Sequence, residues 1–174
     1  MQHITPTLEE KAKIESVLNA KFPATLKTVA QMLGTTELEA AQKMPPEMVA
    51  FLKGDIKTQF AKLWQELATW QKVTLFIVCD GHIFEIQAPL TIGKESHGFY
   101  NILDHNATIG GHLLPSALKT LAFLQMPFMG RESLSVQFFN EKDAVSFSIY
   151  VGRENHQLIE SVKEAFFKAK AQFC

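Results

Sequence analysis

Apolar residues recur along this chain at two spacings, and the change from one to the other falls near Lys72. Before it the spacing is helical. Leu26, Val29, Ala30 and Leu33 share one face of a segment running from Ala24 to Leu33, and Ile56, Phe60, Leu63, Trp64 and Leu67 share another. Start and stop signals agree with that period. Thr7-Leu8-Glu9-Glu10 has the capping-box pattern, with a hydroxyl to accept the Glu10 amide and a carboxylate to reach back to the Thr7 amide. A helix is predicted from there to about Asn19. Gly34 supplies a C-terminal stop, Thr36 and Glu39 form a second capping box, and Asp55 caps the longer helix. Pro45-Pro46 introduces a short helical stretch expected to reach Lys53.

Beyond Lys72 the residues turn β-branched and aromatic. Val73 to Cys79 reads as a strand, Asp80-Gly81 as a hairpin turn, and His82 to Ile86 as the returning strand. Further strands are predicted at about Gly98 to Leu103, Thr108 to Leu113, Ala117 to Gln125, Ser133 to Phe139 and Ala144 to Val151, each bounded by Gly, Pro, Asn or Asp. Val145, Phe147, Ile149 and Val151 alternate with Ala144, Ser146, Ser148 and Tyr150, so one face of that strand is expected to be buried. A last helix is predicted from about His156 to Gln172, with Leu158, Ile159, Val162, Phe166 and Ala169 on its apolar face.

Helices first, then a strand meander, then a helix make an α+β fold with a large antiparallel sheet, not a parallel α/β one. The 174 residues, 47% hydrophobic with 14 Phe, suffice for one packed core. Residues 1–174 are therefore read as a single domain, helical over 1–70, sheet over 71–153 and helix over 154–174.

Charge adds little to this picture. Seventeen basic and eighteen acidic side chains leave a net charge of -1, which favours neither nucleic acid nor a membrane surface. The helix, Gly34-Thr35-Thr36 turn and second helix resemble a DNA-reading helix-turn-helix, but Glu37 and Glu39 near the start of that second helix would face phosphates. Structural packing is the reading adopted. Cys79 and Cys174 form no CxxC pair, zinc spacing or CxxCH attachment motif, which suits a reducing compartment. Met1-Gln2-His3-Ile4-Thr5-Pro6 lacks the basic and apolar regions of a signal peptide, and no apolar run approaches the roughly 18 residues that span a bilayer. A soluble cytoplasmic protein is expected.

No phosphate loop, GxSxG elbow, HExxH or dinucleotide fingerprint is present. What the chain does carry is a segment dense in potential iron ligands and aromatic surface: His82, His97, Phe99, Tyr100, His105 and His112 lie within about thirty residues. Iron in a porphyrin is held by His, Tyr, Met or Cys between apolar walls, with polar or cationic partners for the propionates. Surface or hydrogen-bonding roles for each histidine stand beside that reading.

One pattern runs from Trp70 to Arg153. It comprises Trp70 before Val73-Thr74; His82-Ile83-Phe84-Glu85-Ile86-Gln87-Ala88-Pro89; Gly98-Phe99-Tyr100-Asn101; Gly111-His112-Leu113; Pro127-Phe128-Met129-Gly130-Arg131-Glu132-Ser133; Phe138-Phe139; and Tyr150-Val151-Gly152-Arg153. In order and spacing it resembles the HutX/ChuX family of heme-utilisation carriers, and Met44-Pro45-Pro46-Glu47-Met48-Val49 extends the likeness toward the N-terminus. The resemblance implies a homodimer, related in fold to half of the HemS/ChuS proteins, that holds heme b non-covalently in the cytoplasm and passes it to a heme-degrading enzyme. It also implies site residues. His112, in the Gly-His-Leu motif, is the first candidate for iron, with Tyr100 as the alternative. Where the family usually has tyrosine at the first aromatic place of Gly-Tyr-Tyr-Asn, this chain has Phe99. His97, immediately before it, is a further candidate. A heme-contact histidine of some relatives falls on Val78, which cannot ligate iron. Lys94 and Arg131 are candidate propionate partners. Two other functions are weighed against the carrier: an enzyme that itself degrades heme, and a regulatory or protein-interaction module built around the N-terminal helices.

Overall fold

A computed structural model of the chain describes residues 1–79 and 81–174. The Thr7 box forms as written: Thr7 N donates to Glu10 Oε2 at 2.8 Å and Glu10 N to Thr7 Oγ1 at 3.2 Å, opening helix α1 (Leu8–Leu18). Helices α2 (Leu26–Leu33) and α3 (Glu37–Lys43) follow, separated by Gly34 in the left-handed conformation. At α3 only half of the expected box is made. Thr36 Oγ1 accepts from Glu39 N, while Glu39 turns its carboxylate to Lys43, which also meets Glu10 of α1 at 2.7 Å.

The helical stretch expected up to Lys53 is instead a short strand, β1 (Val49–Phe51), paired antiparallel with the distant β7 (Leu118–Gln125). Prolines signal helix entry, but Val49-Ala50-Phe51 buries Val49 and Phe51 on one face and finds in β7 the partner its backbone needs. Helix α4 (Ile56–Leu67) begins where Asp55 accepts from Lys57 N, and it buries Ile56, Phe60, Leu63, Trp64 and Leu67 as the stripe predicted.

The large sheet is antiparallel throughout, in the order β1-β7-β8-β9-β2-β3, with β2 (Val73–Cys79), β3 (His82–Ala88), β8 (Leu134–Asn140) and β9 (Val145–Val151). Asp80 of the predicted Asp80-Gly81 turn lies outside the described residues; Gly81 has φ 86°. One face of the sheet, with Val73, Leu75, Leu121, Phe123, Val136, Phe138 and Ile149, packs on α4 and on α5 (Glu160–Phe173). The other face places Ala122, Leu124 and Phe139 against α1–α3. The α+β arrangement read from the sequence is thus the one observed.

Two boundaries moved. The last helix begins at Glu160 and not at His156, because Arg153–Glu154 (β10) and Gln157–Leu158 (β11) form a small hairpin whose turn holds Asn155 and His156 at φ 49° and 64°. Left-handed residues end any helical run, and Arg153 Nη1 fixes the turn by donating to His156 O at 3.1 Å. The strand expected over 108–113 shrinks to β6 (Gly111–Leu113), since Asp104 holds a turn through Asn106 N and Ala107 N just upstream. β6 belongs to a second sheet of three strands, with β4 (Lys94–Ser96), which the strand pattern missed, and β5 (Phe99–Ile102).

Candidate heme-binding groove

The three-stranded sheet sorts the candidate residues by face. β4 and β5 are joined by His97-Gly98, at φ 52° and 79°, the two-residue turn with both positions left-handed that suits a hairpin. Cross-strand partners then follow from register: Lys94 opposite Asn101, Ser96 opposite Phe99, Asn101 opposite His112 and Tyr100 opposite Leu113. Because neighbours along a strand point to opposite faces, Phe99, Asn101, Lys94, Ser96 and His112 share one face, and Tyr100, Ile102 and Leu113 share the other.

The inner face is core. Tyr100 is 1% exposed, its ring lies 5.6 Å from that of Phe60 and 6.1 Å from that of Trp64, and its oxygen accepts from Gly93 N at 2.8 Å. Burial holds the phenol above the ordinary tyrosine range, the Glu95 carboxylate adds to this, and the Gly93 amide partly offsets it.

The outer face borders a groove of about 690 Å³ lined by Ile92, Lys94, Ser96, His97, Phe99, Asn101 and Leu103, among others. Its apolar residues are open to solvent: Ile92 is 59% exposed, Leu103 67% and Phe99 38%. His112 is not part of the lining but stands beside it, its ring 6.2 Å edge-on from Phe99 and its Nδ1 2.6 Å from Asn101 Oδ1. Asn101 is itself fixed, because Nδ2 lies within hydrogen-bond distance of the carbonyls of Lys94 (3.2 Å), Ser96 (3.1 Å) and Phe99 (3.1 Å). His97, in the turn, has Nδ1 2.7 Å from Ser96 Oγ.

The structure therefore brings His97, Phe99 and Lys94 together with His112 and sets Tyr100 beneath them. Arg131 is elsewhere. It closes the tight turn of the β7–β8 connection, bonded to Phe128 through both backbone groups, and lines a separate depression with Arg153 and Lys163. His82 and Val78 lie on the exposed end of the β2–β3 hairpin and His105 in the loop after β5. Asn101, Ile92 and Leu103 were not among the candidates read from sequence. The usable signal for Asn101 was its place two residues from Phe99 in one strand; Ile92 and Leu103 carry only an apolar character that most such residues spend on the core.

The fold is α+β, and an open, partly apolar groove edged by imidazoles is the kind of concavity in which small-molecule sites occur. The chain matches the haem utilisation ChuX/HutX family over residues 54–168, and it belongs to that family. It is 33% identical over 144 residues to the intracellular heme transport protein HutX of Vibrio cholerae, an alignment covering 83% of this chain and 73% of that protein. The heme-binding protein ChuX superposes with a TM-score of 0.76 at 27% identity, over 91% of this chain and 97% of the other. Apo-PhuS of Pseudomonas aeruginosa, at 15% identity, shares the fold: TM-score 0.77, all of this chain but 49% of the longer one. The family resemblance drawn from Trp70 to Arg153 is thereby borne out.

Proposed function

We propose that this chain is a heme carrier that holds heme b non-covalently in the groove above the three-stranded sheet, with His112 toward the iron, and releases it to a heme-degrading enzyme in the cytoplasm. The observation that carries this reading is the common face of His112, Phe99 and Lys94, in a chain of the haem utilisation ChuX/HutX family. The residues suit the cargo. Ile92, Phe99 and Leu103 offer apolar contact to a macrocycle, the Lys94 ammonium suits a propionate, and the groove falls within the roughly 300–1,000 Å³ usual for small-molecule sites. Both cysteines lie off the groove lining, in keeping with heme held without a thioether bond.

Tyr100 points to the core and Phe99 has no hydroxyl, so the imidazole of His112 is the ligand this reading assigns, with His97, which lines the groove, as a second imidazole. A groove whose apolar residues are open to solvent lets heme leave, which is what a carrier requires and a retained cofactor does not. The relative named a heme transport protein supports transport over degradation. A homodimer belongs to the same reading, because the edge strand β3 leaves Ile83 and Phe84 exposed for a second copy to cover.

Mixing the heme-loaded protein with excess apo-myoglobin tests the reading. Transfer of the Soret band to the acceptor, with no loss of tetrapyrrole under ascorbate, oxygen and catalase, is the expected result. Conversion of the bound heme to a linear tetrapyrrole under the same conditions would make the protein an enzyme, and no transfer would end the carrier reading.

A further inference from the structure

Resting on the reading of His112 as the imidazole that faces iron, we propose that Asn101 is a positioning residue: it locks the His112 ring in the tautomer that leaves Nε2 unprotonated and able to bind a metal. A carboxamide has one end that only donates and one that only accepts. In Asn101 the donating end is claimed by three backbone carbonyls, those of Lys94, Ser96 and Phe99. Turning the amide over would set Oδ1 among three carbonyl oxygens and forfeit every one of those contacts, so the β4–β5 hairpin itself decides which way Asn101 points. Its Oδ1 then faces His112 Nδ1 at 2.6 Å. An amide oxygen has no proton to give, so the proton in that contact belongs to Nδ1. A neutral imidazole carries one ring proton, and with Nδ1 holding it the lone pair is on Nε2. The edge of Phe99 against the ring, at 6.2 Å between centroids, adds a second restraint on its rotation.

Metal-binding histidines commonly donate their remote N–H to a carboxylate or a carbonyl oxygen, which orients the ring and tunes its basicity. Here the acceptor is a neutral amide. It fixes the tautomer while adding less electron density to the ring than a carboxylate would, which suits a ligand that must let its cargo go. Phe99 and Asn101 flank Tyr100 in β5, so one strand supplies the groove wall, the core anchor and the histidine's partner.

The test begins on the heme-free protein. Long-range ¹H–¹⁵N correlation spectra of the labelled wild type, taken at alkaline pH, are expected to show His112 protonated at Nδ1 and bare at Nε2. Protonation at Nε2 overturns the proposal whatever the protein does with heme. Heme titrations of Asn101→Leu, His112→Ala and the double variant form the second arm. Asn101→Leu is expected to weaken binding about 10- to 100-fold, and to add nothing once His112 is gone, because the effect passes through the imidazole. Equal losses in both backgrounds would mean that Asn101 serves only the hairpin, and the proposal fails. Wild-type binding untouched by His112→Ala would remove the ligand assignment and leave the heme-free spectra to decide the tautomer alone.

Discussion

At the scale of single residues, two adjacent aromatic side chains divide the work of packing and binding. Phe99 faces the groove and Tyr100 the core, and the strand alternation that separates them is plain in the sequence once β5 is recognised. Which of the two faces outward was not legible, because that depends on pairing with β4, a three-residue strand without a sequence signal of its own. Tyr100→Phe is expected to leave heme binding intact and to cost about 1 kcal/mol through the lost contact with Gly93 N, measured by urea unfolding. The same variant carries a pH signature. Burial raises the Tyr100 phenol, so the folded state keeps its proton after the unfolded chain has lost it. That contribution to stability is fully present below the ordinary tyrosine value near 10 and is lost as pH climbs toward the folded value. Tyr150 is raised in the same direction, so Tyr100→Phe should flatten the alkaline decline without abolishing it. Phe99→Tyr is the complementary change. It adds a phenol on the His112 face, and absorbance spectra of the ferric heme complex should gain a tyrosinate charge-transfer band; a spectrum identical to wild type would contradict the assignment of Phe99 to this groove.

At the scale of elements, the legible ones announced themselves by caps and long periods, and the illegible ones were short. The Thr7 box, the α4 stripe and the strands near residues 73, 134 and 145 all appear close to their predicted places. β1 and β4, each three residues long, depend on a partner distant in sequence or on a tight turn, and no local pattern specifies either. The β4–β5 hairpin is correspondingly sensitive to its glycines. A Cβ on Gly93 would sit 2.5 Å from Asn101 O and 2.7 Å from Tyr100 Cε1, so Gly93→Ala must push the strands apart. A cost of about 1–3 kcal/mol is expected, seen as a fall in Tm, together with weaker heme binding because Asn101 and Lys94 move. Unchanged affinity in a folded Gly93→Ala protein would detach the groove from this hairpin.

At the scale of the whole molecule, the sheet ends in an edge strand that one copy of the chain leaves uncovered. On β3, Ile83 is 61% exposed and Phe84 54%, alongside Val78 of β2. Exposed apolar edges invite pairing, and the dimer proposed above would use this one. Sedimentation of Ile83→Lys/Phe84→Lys should give a folded monomer where wild type gives a dimer; a double variant that remains dimeric would move the interface elsewhere. The α+β class was legible from the order of periodic segments, and the family from motifs spread between Trp70 and Arg153. How those motifs converge was not. Arg131 and His112 both belong to motifs of the resemblance, yet the fold carries the first to a separate depression and the second beside the groove. The measurement closest to the centre of this account is a heme titration followed at the Soret band on wild type and His112→Ala. Saturable binding by wild type that is weakened, with a shifted band, in His112→Ala is the result predicted. Absence of saturable binding to wild type would contradict the function, and an unaltered spectrum in His112→Ala would contradict the site.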